Sequence, residues 1–207
     1  MTSEEYKALS VKEFTEAAKV YDSGHSGIYE MCKDDYPYLL EELEKEPFGS
    51  VLDCGCGGGA NIKRLLKKCP QGVVKGIDYS PVSVEKSKKV NEAAIAEGRC
   101  AVLQGSVADM IFANNWFDAV TAFETVYFWP DLPRCFREVY RVLKPGGTFL
   151  ICNESNGDTD KDEKWTKIIG GMTIHKDIEL KAYLEQAGFH DAQIHKKKSW
   201  LCITARK

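Results

Sequence analysis

The sequence predicts an α/β domain: a mostly parallel sheet covered by helices on both faces and finished by an antiparallel hairpin. Three observations carry this. Short, almost continuously apolar runs alternate with helical stretches from residue 50 onward, the pattern of strands buried on both sides. The first run ends in a turn where four of the five residues 55–59 are glycine. The last two runs are separated only by residues 196–199, enough for a hairpin and too few for a crossover.

The elements follow in order. Residues 1–46 read as helical, with Phe14, Ala17, Ala18 and Tyr21 on one face and Leu39, Leu40 and Leu43 on another, separated by a turn-rich break at residues 21–27. Residues 51–54 form the first strand, followed by a helix with Ile62, Leu65, Leu66 and Cys69 inward. Residues 73–78 are the second strand. Pro81 opens a second helix that runs to Gly98. Residues 100–103 and 117–123 are the third and fourth strands. The next helix aligns Leu132, Phe136, Val139 and Leu143, and Lys144-Pro145-Gly146-Gly147 turns the chain into a fifth strand at 148–152. Residues 153–175 are too long for a bare connection and read as a functional loop or a small extra helix. A last helix aligns Leu180, Tyr183, Leu184 and Ala187 and stops at Gly188. The hairpin at 191–195 and 200–205 closes the chain. Its parallel crossovers are expected to be right-handed.

Bulk properties narrow the function. The 207 residues suit one domain, and 43% hydrophobic with 29% charged residues is ordinary globular composition. A net charge of -3 argues against a nucleic-acid partner. No apolar stretch approaches the ~18 residues a membrane span needs, and the charged N-terminus lacks a signal peptide's apolar segment, so a cytoplasmic location is expected. The eight cysteines are scattered inside apolar runs and read as reduced, buried side chains. Cys54 and Cys56 stand too close for the usual zinc knuckle, so no metal is expected.

The chemistry points to Val51-Leu52-Asp53-Cys54-Gly55-Cys56-Gly57-Gly58-Gly59-Ala60, which leaves a strand and opens a helix. Ligands bind at the carboxyl ends of such strands, and glycines let backbone approach them closely. The turn therefore reads as the seat of a nucleoside cofactor. Asp78, 25 residues past Asp53, ends the second strand; it can accept from ribose hydroxyls or serve as a helix N-terminal acid. Gln104-Gly105-Ser106-Val107 closes the third strand, as an adenine-facing segment or a plain turn.

Residues 51–60, Gly76-Ile77-Asp78, Phe117-Asp118-Ala119-Val120, Arg141-Val142-Leu143-Lys144-Pro145-Gly146-Gly147 and Leu184-Glu185-Gln186-Ala187-Gly188-Phe189 together resemble a class I S-adenosylmethionine-dependent methyltransferase of the small-molecule type. The resemblance covers residues 50–207. It implies a Rossmann-like, doubly wound seven-stranded sheet of order 3-2-1-4-5-7-6 with strand 7 antiparallel. It further implies a single domain, residues 1–48 forming an N-terminal helical lid on a core at 49–207. S-adenosylmethionine would be the donor and S-adenosylhomocysteine the product. By position, Asp53, Gly55 and Gly57 would line the methionine end, with Cys56 and Gly59 completing the turn. Asp78 would bind the ribose, Tyr79 would pack on adenine, Ser106 and Val107 would face it, and Phe123 would offer its carbonyl near the amino group. Tyr21 and His25 would close over the cofactor or stand in a solvated turn. Ser106 departs from the acidic residue many relatives carry, and Gly58 from their Thr or Ser.

The acceptor side is expected after the fourth strand and in the late loop: Tyr127, Phe128, Trp129, Trp165 and Met172, where Phe128 and Trp129 either face the acceptor or pack on the next helix. Glu124, Tyr127 and His175 are the candidate catalytic residues, His175 equally readable as a cap or surface residue. A small-molecule methyl acceptor and a monomer or homodimer are expected. Two other readings stay open: a catalytically silent cofactor-binding module, and an NAD(P)-dependent oxidoreductase suggested by Gly55-x-Gly57-x-x-Ala60. Against the latter, Asp53 stands where dehydrogenases place an apolar residue, and no usable Tyr-x-x-x-Lys pair is read.

Overall fold

The computed structural model describes residues 49–158, 160–197 and 199–207. The expected lid at residues 1–48, with Tyr21 and His25, lies outside them. The strands are β1 (Ser50–Cys54), β2 (Val73–Asp78), β3 (Cys100–Gln104), β4 (Phe117–Phe123), β5 (Leu143–Asn153), β6 (His190–Lys197) and β7 (Trp200–Arg206). The helices are α1 (Ala60–Lys68), α2 (Pro81–Val90), α3 (Glu92–Ala96), α4 (Leu132–Val142), α5 (Asp160–Ile168) and α6 (Asp177–Ala187), with a 3-10 turn at Val126–Phe128.

All seven strands form one sheet of order β3-β2-β1-β4-β5-β7-β6. Pairing is parallel from β3 through β5 and antiparallel at β5–β7 and β7–β6, as the resemblance implied. Every residue of the interior strand β1 is buried, which is why its sequence is an unbroken apolar run apart from Ser50 and Asp53. One core layer joins the sheet to α4 and α6 through Phe136, Val139, Phe149, Leu180 and Leu184. The other joins it to α1 and α2 through Val51, Ile62, Leu65, Val74 and Val84. The seven described cysteines are buried free thiols.

Three local outcomes differ from the sequence reading. The helix expected from Pro81 to Gly98 breaks at Asn91, whose Nδ2 donates to Ser87 O at 2.9 Å and to Gly59 O at 3.0 Å. A side chain that satisfies two backbone carbonyls outweighs helix continuity. Leu143 begins β5 opposite Phe117 instead of ending α4. Pro145 bars its predecessor from the helical region, so the chain extends at once and absorbs Lys144–Gly147 as an irregularity in the ladder. The hairpin loop expected at residues 196–199 shortens to residues 198–199, because β6 runs on through Lys197, with Lys196 opposite Leu201 and Lys197 opposite Trp200. The late stretch carries a short helix, α5, one of the two forms expected for it.

The crossover between β3 and β4 carries no helix. Arg141 holds it instead: its guanidinium donates to Met110 O (2.9 Å), Phe112 O (2.7 Å) and both carboxylate oxygens of Glu138 (2.8 Å each). That planar fork matches carbonyls and a carboxylate together, which an ammonium would not. Arg99 does similar work at the end of α1, donating to Leu66 O (3.0 Å) and Cys69 O (2.8 Å). No described helix is long and apolar enough to cross a membrane.

Candidate functional site

The carboxyl ends of β1, β2, β3 and β4 bring their following turns together, where parallel α/β sheets bind ligands. The turn after β1 is fixed from below. Gly55 N and Cys56 N both donate to Ile77 O (2.8 and 3.1 Å), and Gly57 N donates to Asp78 Oδ2 at 2.8 Å. Gly55, Gly57 and Gly59 all take left-handed conformations (φ 70°, 50° and 83°), which L side chains resist.

The three glycines differ in what surrounds them. A Cβ on Gly55 would lie on Thr125 Oγ1 and 2.6 Å from Thr125 Cβ. A Cβ on Gly59 would collide with Ser87 Oγ and lie 2.8 Å from Ser87 Cα. A Cβ on Gly57 would meet nothing within 4 Å. The open side of the turn is therefore at Gly57. Beside it, α1 starts at Gly59 with no side-chain cap, leaving first-turn N–H groups for a ligand.

Two carboxylates flank this opening. Asp53 is 1% exposed; its Oδ1 accepts from Thr121 Oγ1 at 2.8 Å and its Oδ2 has no partner. Burial pushes its pKa up to about 7, the Thr121 hydrogen bond opposes that, and the charge of Asp78 adds to it. An orphaned, buried carboxylate oxygen costs about 1–3 kcal/mol and fits a cationic or hydrogen-bonding ligand. Asp78 accepts from Ser80 N at 2.8 Å through Oδ1 and from Gly57 N through Oδ2. Burial raises its pKa against those backbone bonds. Ser80 supplies the N-cap of α2, so Asp78 is not needed for that work.

Next to Asp78, Gly105 N donates to Asp78 O (3.0 Å) and Gln104 Nε2 to Tyr79 O (3.2 Å), which draws the turn after β3 against half-buried Tyr79. Ser106 Oγ accepts from Ala108 N at 3.2 Å, and Val107 is buried in the core. Phe123 is buried at the end of β4.

Glu124 follows in a left-handed conformation (φ 55°). Its Oε1 accepts from Tyr127 Oη (3.2 Å) and from Glu154 N. Burial, with Glu154 beside it, pushes its pKa up to about 8. Tyr127 is 2% exposed, and its hydroxyl also accepts from Ser155 N at 2.8 Å. Thr173 N donates to Tyr127 O at 2.9 Å, so the segment carrying Met172 and His175 is tied to the loop after β4. Met172 is buried. His175 is half-buried, and burial lowers its pKa, keeping the imidazole neutral at neutral pH.

The aromatic candidates separate. Trp129 is 8% exposed, stacked on Phe149 and edge-on to Phe136, with its Nε1 donating to Thr125 Oγ1 at 3.1 Å. The core holds it. Phe128 stays partly open, edge-on to Tyr127. Trp165 is 43% exposed on α5, under the Lys164 ammonium. Two Tyr-x-x-x-Lys spacings do occur: Tyr29 and Lys33, which lie outside the described residues, and Tyr140 and Lys144, where Lys144 Nζ bonds Asp118 Oδ1 (2.7 Å) at the start of β4 and Tyr140 packs edge-on against Phe189. That is the end of the sheet away from the glycine turn.

Sequence reasoning passed over Thr121, Ser87, Asn91 and Thr125, the residues that hold Asp53 and the glycine turn. A signal existed for two of them. Ser83, Ser87 and Asn91 recur every four residues, so one face of α2 presents small polar groups to the sheet.

Residues 52–151 match the methyltransferase-domain family. The chain is 33% identical over 170 residues to the cycloartenol-C-24-methyltransferase of Arabidopsis thaliana, covering 77% of this chain and 50% of that protein. It thus spans about half the length of that relative, and 35% of the rice cycloartenol-C-24-methyltransferase 1. A S-adenosylmethionine-dependent methyltransferase from Aquifex aeolicus superposes with a TM-score of 0.68 at 22% identity, covering 82% of this chain and 87% of that one. The Haemonchus contortus phosphoethanolamine N-methyltransferase 2, solved with S-adenosyl-L-methionine, superposes with a TM-score of 0.71 at 15% identity, covering 84% of this chain and 52% of that one. With the motifs, the sheet order and these matches in agreement, the chain belongs to the class I S-adenosylmethionine-dependent methyltransferases.

Proposed function

We propose that the chain methylates a small-molecule acceptor, with the turn after β1 seating the cofactor and the loop after β4 facing the acceptor. The observation that carries this is the buried, unpartnered Asp53 Oδ2 on the strand that leads into the turn whose open side is at Gly57. When bound, S-adenosylmethionine supplies a methyl carbon on a sulfonium, open to in-line displacement by a nucleophile. Asp53, Gly55 and Gly57 hold the methionine end, Cys56 and Gly59 shape the turn, and the Phe123 carbonyl faces the amino group. Asp78 accepts from the ribose hydroxyls, and Tyr79, Ser106 and Val107 border the adenine. Alignment of donor and acceptor alone is worth up to about 7–11 kcal/mol of barrier.

On the acceptor side, Phe128 and the segment from Met172 to His175 line the approach, with Trp165 at its outer margin. Glu124 takes a proton where the nucleophile carries one, since a raised pKa suits a base near neutral pH. Tyr127, whose own pKa burial drives up, orients Glu124. His175, kept neutral, is the second candidate base. The sterol methyltransferases among the relatives favour a small-molecule acceptor, and the net charge of -3 disfavours nucleic acid. We read the protein as cytoplasmic, acting as a monomer or homodimer.

Calorimetric titration tests the reading: S-adenosylhomocysteine binds and NADH does not. Silence with S-adenosylhomocysteine sinks it, while binding without transfer to any acceptor favours the catalytically silent alternative.

A pH dependence follows from Asp53. Its folded pKa, about 7, lies above the unfolded value of 3.8. Its contribution to folding is therefore fully present below the unfolded value and lost as pH rises through the folded one. A ligand amino group favours the ionised carboxylate, so affinity for S-adenosylhomocysteine rises over the same window. Asp53→Asn is expected to melt higher than wild type at about pH 8 without ligand, and to flatten the pH dependence of the dissociation constant. Parallel pH profiles for both proteins would rule this out.

A further inference from the structure

The turn after β1 and the loop after β4 meet at one side chain. A Cβ on Gly55 would lie on Thr125 Oγ1, 2.6 Å from Thr125 Cβ and 3.1 Å from its Cγ2. Thr125 therefore sits directly against the Gly55 backbone. It is held there: Trp129 Nε1 donates to Thr125 Oγ1 at 3.1 Å, and Phe128 N donates to Thr125 O at 3.0 Å. Trp129 in turn is locked by stacking on Phe149 and by the edge of Phe136. On its other side Gly55 is tied to Ile77 O. The turn is thus gripped between β2 and Thr125, and its height above the sheet is set by the loop that carries Glu124 and Phe128.

We propose that Thr125 is a positioning residue for the methionine end of the cofactor, transmitting the placement of the acceptor-side loop to Gly55 through a wedge held by the Trp129 indole. This rests on the reading of the turn as the cofactor seat. The hydroxyl is the part that matters, because it alone accepts the indole N–H while remaining small enough for Gly55. Valine at 125 keeps the shape, puts a methyl group where the oxygen touches Gly55, and leaves the indole N–H without its acceptor. Serine keeps the oxygen.

The test compares two ligands. S-adenosylhomocysteine carries the amino-acid end, and 5′-methylthioadenosine carries the nucleoside without it. Thr125→Val is expected to weaken S-adenosylhomocysteine about tenfold, or about 1.4 kcal/mol, and to leave 5′-methylthioadenosine within about twofold. Thr125→Ser is expected to hold both within about twofold. Equal weakening of both ligands by Thr125→Val would mean a general structural role and overturn the proposal, as would unchanged binding of both. Asp78→Asn, which acts at the ribose, serves as the control that weakens both. If wild type binds neither ligand, the cofactor reading falls and the proposal with it. If wild type binds both and Thr125→Val changes nothing, only the proposal falls.

Discussion

Gly59→Ala is expected to destabilise the fold by about 2–5 kcal/mol and to remove cofactor binding with it. Two costs add. The left-handed conformation at φ 83° costs an L side chain roughly 1–2 kcal/mol. The new methyl collides with Ser87 Oγ and lies 2.8 Å from Ser87 Cα and 2.5 Å from Asn91 Nδ2, and such overpacking costs about 1–3 kcal/mol. The Ser87 Cα is backbone, so no rotamer change relieves the clash, and α2 must move away. Asn91 then loses its bond to Gly59 O. Gly57→Ala is the informative comparison. Its Cβ meets no protein atom, so the fold loses only the conformational share, while the methyl occupies the open side where the ligand is proposed to sit. Urea denaturation and calorimetry with S-adenosylhomocysteine separate the two: the first variant fails on stability, the second on binding. A Gly59→Ala protein with an unshifted midpoint would contradict the packing described.

The second large effect is at Asp78. Asp78→Asn is expected to weaken S-adenosylhomocysteine about a hundredfold, since a hydrogen bond to a charged group contributes about 1.5–3 kcal/mol and each 1.4 kcal/mol is tenfold. The amide replaces one acceptor oxygen by a donor. Ser80 N and Gly57 N need both oxygens, so one of those backbone groups loses its partner even before ribose is considered. The glycine turn is then less firmly tied to β2. Fold stability should fall by no more than about 1–2 kcal/mol. Affinity within tenfold of wild type, measured by titration, would remove ribose binding from the role of Asp78.

Much of this was legible in the sequence because its physics is local. Strand-helix alternation, the glycine turn and the closing hairpin each follow from steric and periodic rules acting over a few residues. Asp53, Gly55, Gly57 and Asp78 stood out as candidates because they sit at or just past strand ends, where the topology leaves an opening. The break at Asn91 was not legible, since its cause is a carbonyl at Gly59, 32 residues away in sequence. Thr125 and Thr121 escaped for the same reason: each matters through a glycine or a carboxylate on another strand. Trp129 carried an ambiguity that only packing resolved, because an aromatic residue after a strand faces the core or the ligand with the same local pattern. Leu143 continued the helical stripe, yet the restriction Pro145 places on Lys144 was readable in advance.

The strand order has a consequence for how the site comes apart. β1 and β4, on which the methionine end is proposed to rest, lie inside the sheet with neighbours on both sides, while β3, which leads to Ser106 and Val107, lies at its rim with β2 alone. Rim elements open at lower free energy than interior ones. The nucleoside half of the proposed seat is therefore built on the more labile ground and its amino-acid half on the more durable. With the cofactor seated as proposed, a departing product would meet its first loosened wall on the side of its base, and the Asp53 carboxylate at the opposite end would hold its shape until last.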